Sequence, residues 1–358
     1  MPISEKLELG LLGLIVFQCF FFALFLTTQI KKEKRSNLFL ALLLTVLGIH
    51  MLFNLLSAII PFEADSKLLI GLSALYGPFI YLHIRALQLR KFPLNRKVIF
   101  HFLLAPVAII LSNFGWEPLE LSMRILVLVQ VYVYLILSLT SIKRYQKIIT
   151  YTQSQYQRIN LNWAFYMICF WILIAFVDLA GNIFSSYSLL SYDWAFTILL
   201  VAIFIFVNTL FFKGLVQPKL FLGISTNDEE IFKQENERYK DSTFTEQDIL
   251  STSNAIEKCL EYSRVYLEPE LSLEQFSALL NKPPRLISQT INTTYKTNFS
   301  DFINEQRIEE AKKLLKETNG LNVSEILYEV GFNSKSAFYE HFKKKTGLTP
   351  NQFKKEQK

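Results

Sequence analysis

A chain of 358 residues that is 51% hydrophobic, with a mean hydropathy of +0.27, is too apolar to be one ordinary water-soluble domain. Its formal charge of +6 suits an anionic partner only if the cations cluster. Three cysteines (Cys19, Cys169, Cys259) and four histidines (His50, His83, His101, His341) fall at no ligand-like spacing, which excludes a disulfide framework or zinc knuckle; no cofactor and no metal are expected.

In chain order, seven segments are apolar over about the 20 residues a helix needs to cross hydrocarbon. They are Leu7–Ile30, Asn37–Ile60, Leu68–Leu89, Val98–Asn113, Leu119–Ile142, Asn162–Phe184 and Trp194–Phe212. The fourth is short and carries Pro106. The first lacks the positive leader and small-residue cleavage site of a signal peptide and reads as a retained span. Lys and Arg collect after spans one, three and five (Lys31 to Arg35, Arg90 to Lys97, Lys143 to Arg158), and the alternate connections hold almost none. Short basic loops stay cytoplasmic, so the N-terminus is expected outside and everything after Phe212 in the cytoplasm. Asp178 is the one carboxylate deep in a span and is the candidate for signal sensing, with a hydrogen bond between helices as the alternative. His50, His83, His101 and Asn54 read as polar links between helices.

Residues 213–244 lack apolar periodicity and are expected to be an exposed linker. Thr245 and Asp248 then form a plausible cap for a helix with Ile249, Ile256 and Leu260 on one face. After it a pattern occurs twice. Leu271, Phe276 and Leu280 match Leu321, Ile326 and Val330 at an offset of fifty; Ile287, Ile291 and Phe302 match Phe338, Phe342 and Phe353 at fifty-one. Each copy, about 271–299 and 321–350, reads as a short helix, a tight turn and a second helix. Ser272 with Gln275 makes a capping box, and Pro283 and Pro284 restart the chain. In the second copy Gly331 supplies the turn and Asn333 or Ser334 the cap.

If Ile287, Ile291, Phe338 and Phe342 anchor the second helices, the outward faces hold Arg285, Ser288, Gln289 and Asn292 in one copy. In the other they hold Ser336, Tyr339, Glu340 and Lys343. Such a helix pair places a recognition helix in the major groove of double-stranded DNA. Between the copies a helix from a cap at Ser300 to a stop at Gly320 would hold the two recognition helices apart. From Glu270 onward 14 basic and 11 acidic residues leave only +3, but "HFKKK" and "QFKK" concentrate cations where phosphate contacts would position the domain.

From Leu271 to Phe353 the chain resembles the DNA-binding domain of AraC-type transcription regulators. Gly331-Phe332, Phe338, Phe342, Lys343 and "TGLTP" in the second copy carry the likeness, with Arg307 and Ala311 in the linker helix. It departs from the family pattern at Leu327, where a small residue is usual, at Lys296, where glycine is usual, and at Pro283, where a capping serine is common. The order of spans then DNA-binding domain is similar to membrane-bound regulators of Bacteroidetes-like bacteria.

The expectation is therefore an all-α chain: a seven-helix transmembrane bundle (1–212), a cytoplasmic linker (213–244) and a soluble helical domain (245–358) with two helix-turn-helix units joined by a linker helix. It would act as a bacterial inner-membrane transcription regulator without enzymatic chemistry. The expected DNA-binding residues are Arg285, Ser288, Gln289, Asn292, Ser334, Lys335, Ser336, Tyr339 and Lys343. Partners would be double-stranded DNA, the lipid bilayer and an unknown signal ligand, with a homodimer and RNA polymerase as further candidates. The alternative from another class is a membrane receptor or transporter whose cytoplasmic tail docks a protein partner, and a third reading is a tethered regulator freed by proteolysis within 213–243.

Overall fold

The computed structural model describes residues 3–29, 35–60, 66–90, 92–114, 117–186, 193–216, 224, 228, 244–317 and 321–356. Among them no strand is found, only isolated bridges, and the helices account for nearly all of the backbone. The chain divides into two units, residues 1–143 with 161–223, and residues 144–160 with 224–358.

The first unit contains α1 (Ile3–Thr28), α2 (Ser36–Ile59), α3 (Ser66–Ser73), α4 (Tyr76–Gln88), α5 (Leu104–Ser112), most of α6 (Glu117–Thr152), α7 (Asn162–Ser186) and α8 (Asp193–Val216). Helix α2 packs against α1 and α4, α1 against α8, and α3 against α5. Five stretches among the described residues are long and apolar enough to cross a membrane: Glu5–Thr28, Ser36–Ile59, Lys67–Gln88, Pro118–Thr152 and Phe196–Lys213. They carry apolar residues on exposed faces, among them Phe17, Leu24, Leu121, Val129 and Ile198. A helix facing water would carry polar residues there.

Two of the seven expected spans look different. Val98–Asn113 is not one helix: a 3-10 turn, Arg96–Phe102, precedes the nine residues of α5, which rise only about 14 Å. Pro106 has no N–H and is tolerated only in a first helical turn, so it fixes where α5 begins. Asn162–Phe184 does lie within α7, but its apolar stretch with described side chains is Asn162–Leu173, and Asp178, helical in its backbone, has a side chain outside the described ones. The third span is helical with a break. Pro78 cannot donate to the Ala74 carbonyl, and α3 and α4 meet at Ala74 and Leu75.

The histidines of this unit link elements, as their burial requires. His50 Nδ1 and the Tyr76 hydroxyl lie 2.7 Å apart, His83 Nδ1 and the Ser36 carbonyl 2.9 Å, and His101 Nδ1 and the Tyr134 hydroxyl 2.7 Å. Asn208 adds a hydrogen bond to Gln18 at 3.1 Å between α8 and α1.

The second unit contains the last turns of α6, then α9 (Glu246–Ser263), α10 (Leu273–Leu280), α11 (Pro284–Thr294), α12 (Phe299–Lys316), α13 (Val323–Glu329), α14 (Lys335–Thr346) and α15 (Pro350–Glu356). Two apolar cores share α12. Its first half gives Phe299, Phe302 and Ile303 to a core with Ile256, Phe276, Ile287 and Ile291. Its second half gives Ile308, Ala311 and Leu315 to one with Ile326, Val330, Phe338 and Phe342. The anchors expected from spacing are buried in both copies. Cutting a buried Phe such as Phe338 to Ala costs about 3–5 kcal/mol. Of the expected linker 213–244, residues 213–216 continue α8, and most of the rest lies outside the described residues.

Candidate nucleic-acid interface

Local chemistry sets each helix start. Thr245 Oγ1 accepts from the Asp248 N–H at 3.2 Å while Asp248 accepts from the Thr245 N–H at 2.9 Å, a reciprocal cap for α9. Ser272 and Gln275 do the same for α10, and Asn322 and Glu325 for α13. The Asn322 box escaped the sequence reading, although asparagine three residues before glutamate is its signature. Helix α12 starts at an Asn298 cap rather than at Ser300, because the Asn298 carboxamide accepts from the Asp301 N–H at 2.9 Å. Its 18 residues extend about 27 Å.

The repeat is written in the backbone as well. The tight turn takes a left-handed residue in both copies, Asn281 (φ 49°) and Gly331 (φ 83°). So does a matching residue just past each second helix, Lys296 (φ 53°) and Gly347 (φ 77°). Lys296 thus sits at the position where the sequence departs from glycine, in a conformation that favours glycine. At Gly331 a Cβ would press on the Leu267 carbonyl.

In the second copy Lys335, Ser336 and Lys343 are exposed on α14 and Tyr339 is half-buried beside them. Lys335 Nζ lies over the Tyr339 ring, 5.5 Å from its centroid, and Asn351 Nδ2 donates to the Tyr339 hydroxyl at 3.1 Å, so the ring is held from two sides. Ser334 is the N-cap; its hydroxyl accepts from the Ala337 N–H and shares a bond with Ser336 at 2.8 Å. In the first copy Arg285, Gln289 and Asn292 are partly exposed at i, i+4 and i+7 on α11. The Arg285 guanidinium covers the Phe244 ring at 5.4 Å. Ser288, expected outward, is 2% exposed. Helix α9 packs along α11 and ties to its end through hydrogen bonds of the Tyr295 hydroxyl with Ser253 and Glu257, both 3.1 Å.

The cations divide by role. Lys344 and Lys345 pair with Asp301 and Glu305 on α12 at 3.1 and 3.2 Å, and the Asp301 partner raises the Lys344 pKa above its ordinary value. Lys354 Nζ donates to the Leu321 carbonyl at 2.6 Å. Lys335 and Lys343 remain exposed on the outward face.

Arg307 is 0% exposed on α12. Nε donates to the Tyr266 carbonyl at 2.6 Å, Nη1 to Asn304 Oδ1 at 3.1 Å, and Nη2 to the Glu268 carbonyl at 2.7 Å and Ser154 Oγ at 3.2 Å. Burial pulls its pKa down to about 9, which leaves it charged at neutral pH. Ser154 belongs to a glutamine-rich turn far upstream that reasoning from the repeat missed.

Residues 276–356 match the family described as a helix-turn-helix domain. An uncharacterized HTH-type transcriptional regulator of Pseudoalteromonas carrageenovora is 46% identical over 70 residues, 20% of this chain and 40% of its own length. The uncharacterized transcriptional regulatory protein YesN of Bacillus subtilis is 33% identical over 91 residues, 25% of each chain. Histidine kinase P4 of Formosa agariphila is 35% identical over 111 residues, 29% of this chain and 8% of its own length. The chain thus spans well under half of each of these relatives. Among solved structures, the C-terminal domain of AraT, a response regulator from Geobacillus stearothermophilus, is 27% identical with a TM-score of 0.26, covering 29% of this chain and 84% of that one. The matched part of the chain, residues 276–356, is an AraC-type helix-turn-helix domain.

Proposed function

We propose that this protein is a bacterial inner-membrane transcription regulator that binds specific double-stranded DNA through two recognition helices, α11 and α14, and carries no catalytic chemistry. The observation that carries the reading is the duplicated helix pair on one rigid helix, with Lys335, Ser336, Tyr339 and Lys343 on the outward side of α14. Two such helices joined this way suit successive major grooves. Arg285, Gln289 and Asn292 on α11 have the side-chain forks that read guanine and adenine edges. Ser288 and Ser334 leave the set, one buried and one a cap.

The apolar outward faces of the N-terminal helices support a bilayer as the second partner. Helix α6 extends about 54 Å, well beyond 30 Å of hydrocarbon. Its basic end, from Arg144, belongs to the same unit as residues 224–358, in keeping with a cytoplasmic placement of both. In this reading the N-terminus is outside and a signal at the helices, with Asp178 as one candidate contact, shifts the DNA-binding unit between two arrangements.

The test is a genomic pull-down of full-length, membrane-embedded protein with sequencing of the bound DNA, beside a variant with Arg285, Gln289, Lys335 and Tyr339 changed to Ala. Discrete sites lost in the variant are the expected result. Equal recovery from both would overturn the assignment of the DNA face.

A further inference from the structure

Residues 153–157, the turn that follows α6, are bonded to both helix pairs and to the helix between them. Gln153 forms an antiparallel bridge with Ser272, and the Ser154 N–H donates to the Leu271 carbonyl at 3.2 Å, both at the entrance of the first helix pair. The Ser154 carbonyl accepts from Asn304 Nδ2 at 2.9 Å and Ser300 Oγ at 3.3 Å, and its hydroxyl from Arg307, all on α12. Gln155 reaches the second pair: Nε2 donates to the Gly331 carbonyl and Oε1 accepts from the Asn333 N–H at 3.2 Å. Gln157 Nε2 meets His341 Nε2 on α14 at 3.0 Å. Ser154 is 1% exposed, and Gln153, Gln155, Tyr156 and Gln157 are half-buried. A loop that merely touches a surface would keep most of its area in water.

We propose that residues 153–157 are a strap that braces the two helix-turn-helix pairs against each other, and that the strapped form is the one that binds DNA. The inference rests on the DNA-binding reading above. Its bonds go to backbone groups of the Gly331–Asn333 turn, which aims α14, and none uses Lys335, Ser336 or Lys343, so the outward face stays open. The strap is also chained to the membrane helices. It follows α6 directly and precedes α7, and its far end is tied back to α6, where Tyr145 donates to the Ile159 carbonyl and Gln146 to the Asn160 carbonyl, both at 2.9 Å. In the chain the strap is thus the covalent link between α6 and α7. With the braces undone, two recognition helices must be ordered at the moment of binding, which costs affinity.

The test uses full-length protein in lipid nanodiscs, wild type, Q155A and Q155E. Residue-resolved amide exchange reads the strap without DNA, because the Asn333 and Ser154 N–H groups are its own bonds. Both should be protected in wild type. Asn333 should exchange rapidly in Q155A but stay protected in Q155E, which keeps an acceptor there and faces the Gly331 carbonyl with oxygen in place of a donor. Free exchange of both amides in wild type would overturn the strap. With the DNA recovered in the pull-down, Q155A is expected to bind about tenfold more weakly, in the range of ordinary coupling between sites. Wild-type affinity in Q155A with an exposed Asn333 amide would overturn the coupling. Protected amides in a wild type that retains no DNA would instead sink the DNA-binding reading and, with it, the claim that the strapped form is the binding form, while the brace itself would stand.

Discussion

The Arg307 guanidinium lies 5.7 Å from the centre of the Phe332 ring, so one buried cation of the linker helix caps the turn of the second helix pair. The same group bonds the carbonyls of Tyr266 and Glu268 below the first pair. Arg307→Lys keeps the charge but loses the planar fork and its stacking. Because several buried carbonyls would be left without a donor, the expected cost is about 3–5 kcal/mol, read by denaturant unfolding of the detergent-solubilised protein. A loss within 0.5 kcal/mol would mean that water replaces the fork.

Lys296 and Gly347 occupy equivalent left-handed positions in the two copies. A non-glycine side chain there costs roughly 1 kcal/mol. Lys296→Gly is expected to recover most of that despite the added freedom of the unfolded chain, and Gly347→Ala to destabilise by a similar amount. Gly331→Ala should be worse than either, since its Cβ would press on the Leu267 carbonyl. Thermal unfolding of the three variants gives the order.

His341 is 8% exposed on α14, and burial holds its pKa below the ordinary 6.5, with the Lys344 and Arg307 charges adding to the effect and Asp301 and Glu340 opposing it. Asn304, oriented by Arg307, and Gln157 both offer amide hydrogens to its Nε2, which suits the neutral ring. The unfolded chain takes up this proton first as pH falls, so the contribution is fully present above 6.5 and is lost as pH drops toward the folded value. Protection of the Phe338 and Phe342 amides should fall between about pH 7.5 and pH 5. The fall should be smaller in His341→Gln. An equal fall in the two proteins would place the titration elsewhere.

Lys343 and Lys344 are adjacent in sequence and opposite in role. Lys343 is exposed on the outward face, whereas Lys344 pairs with Asp301. Lys343→Ala should weaken binding to all DNA and lower the salt slope by about one. Lys344→Ala should leave the slope nearly unchanged and loosen α14 from α12. Titrations of the recovered DNA at several salt concentrations separate the two.

Apolar length alone located most of the N-terminal helices, because a water-soluble helix rarely keeps about 20 consecutive residues apolar. At Val98–Asn113 composition does not reveal that Pro106 sets the start of a short helix behind a 3-10 turn. In the C-terminal unit the i, i+4 anchors Ile287, Ile291, Phe338 and Phe342 were legible, since helical periodicity and burial are two faces of one constraint. Ser288 is buried although spacing pointed it outward, because burial depends on the elements packed against α11, which its own residue pattern does not record.

By itself, the sequence determined the all-helical character, the duplicated helix pair and the caps at Thr245, Ser272 and Ser334. These are local properties, carried by spacing and by hydrogen bonds that reach three or four residues. Only the tertiary structure decided which cations are free, Lys343 but not Lys344, and that Gln155 reaches Gly331 and Asn333 from 176 and 178 residues away. Those bonds end on backbone carbonyls and N–H groups, which every residue carries, so no residue pattern announces them.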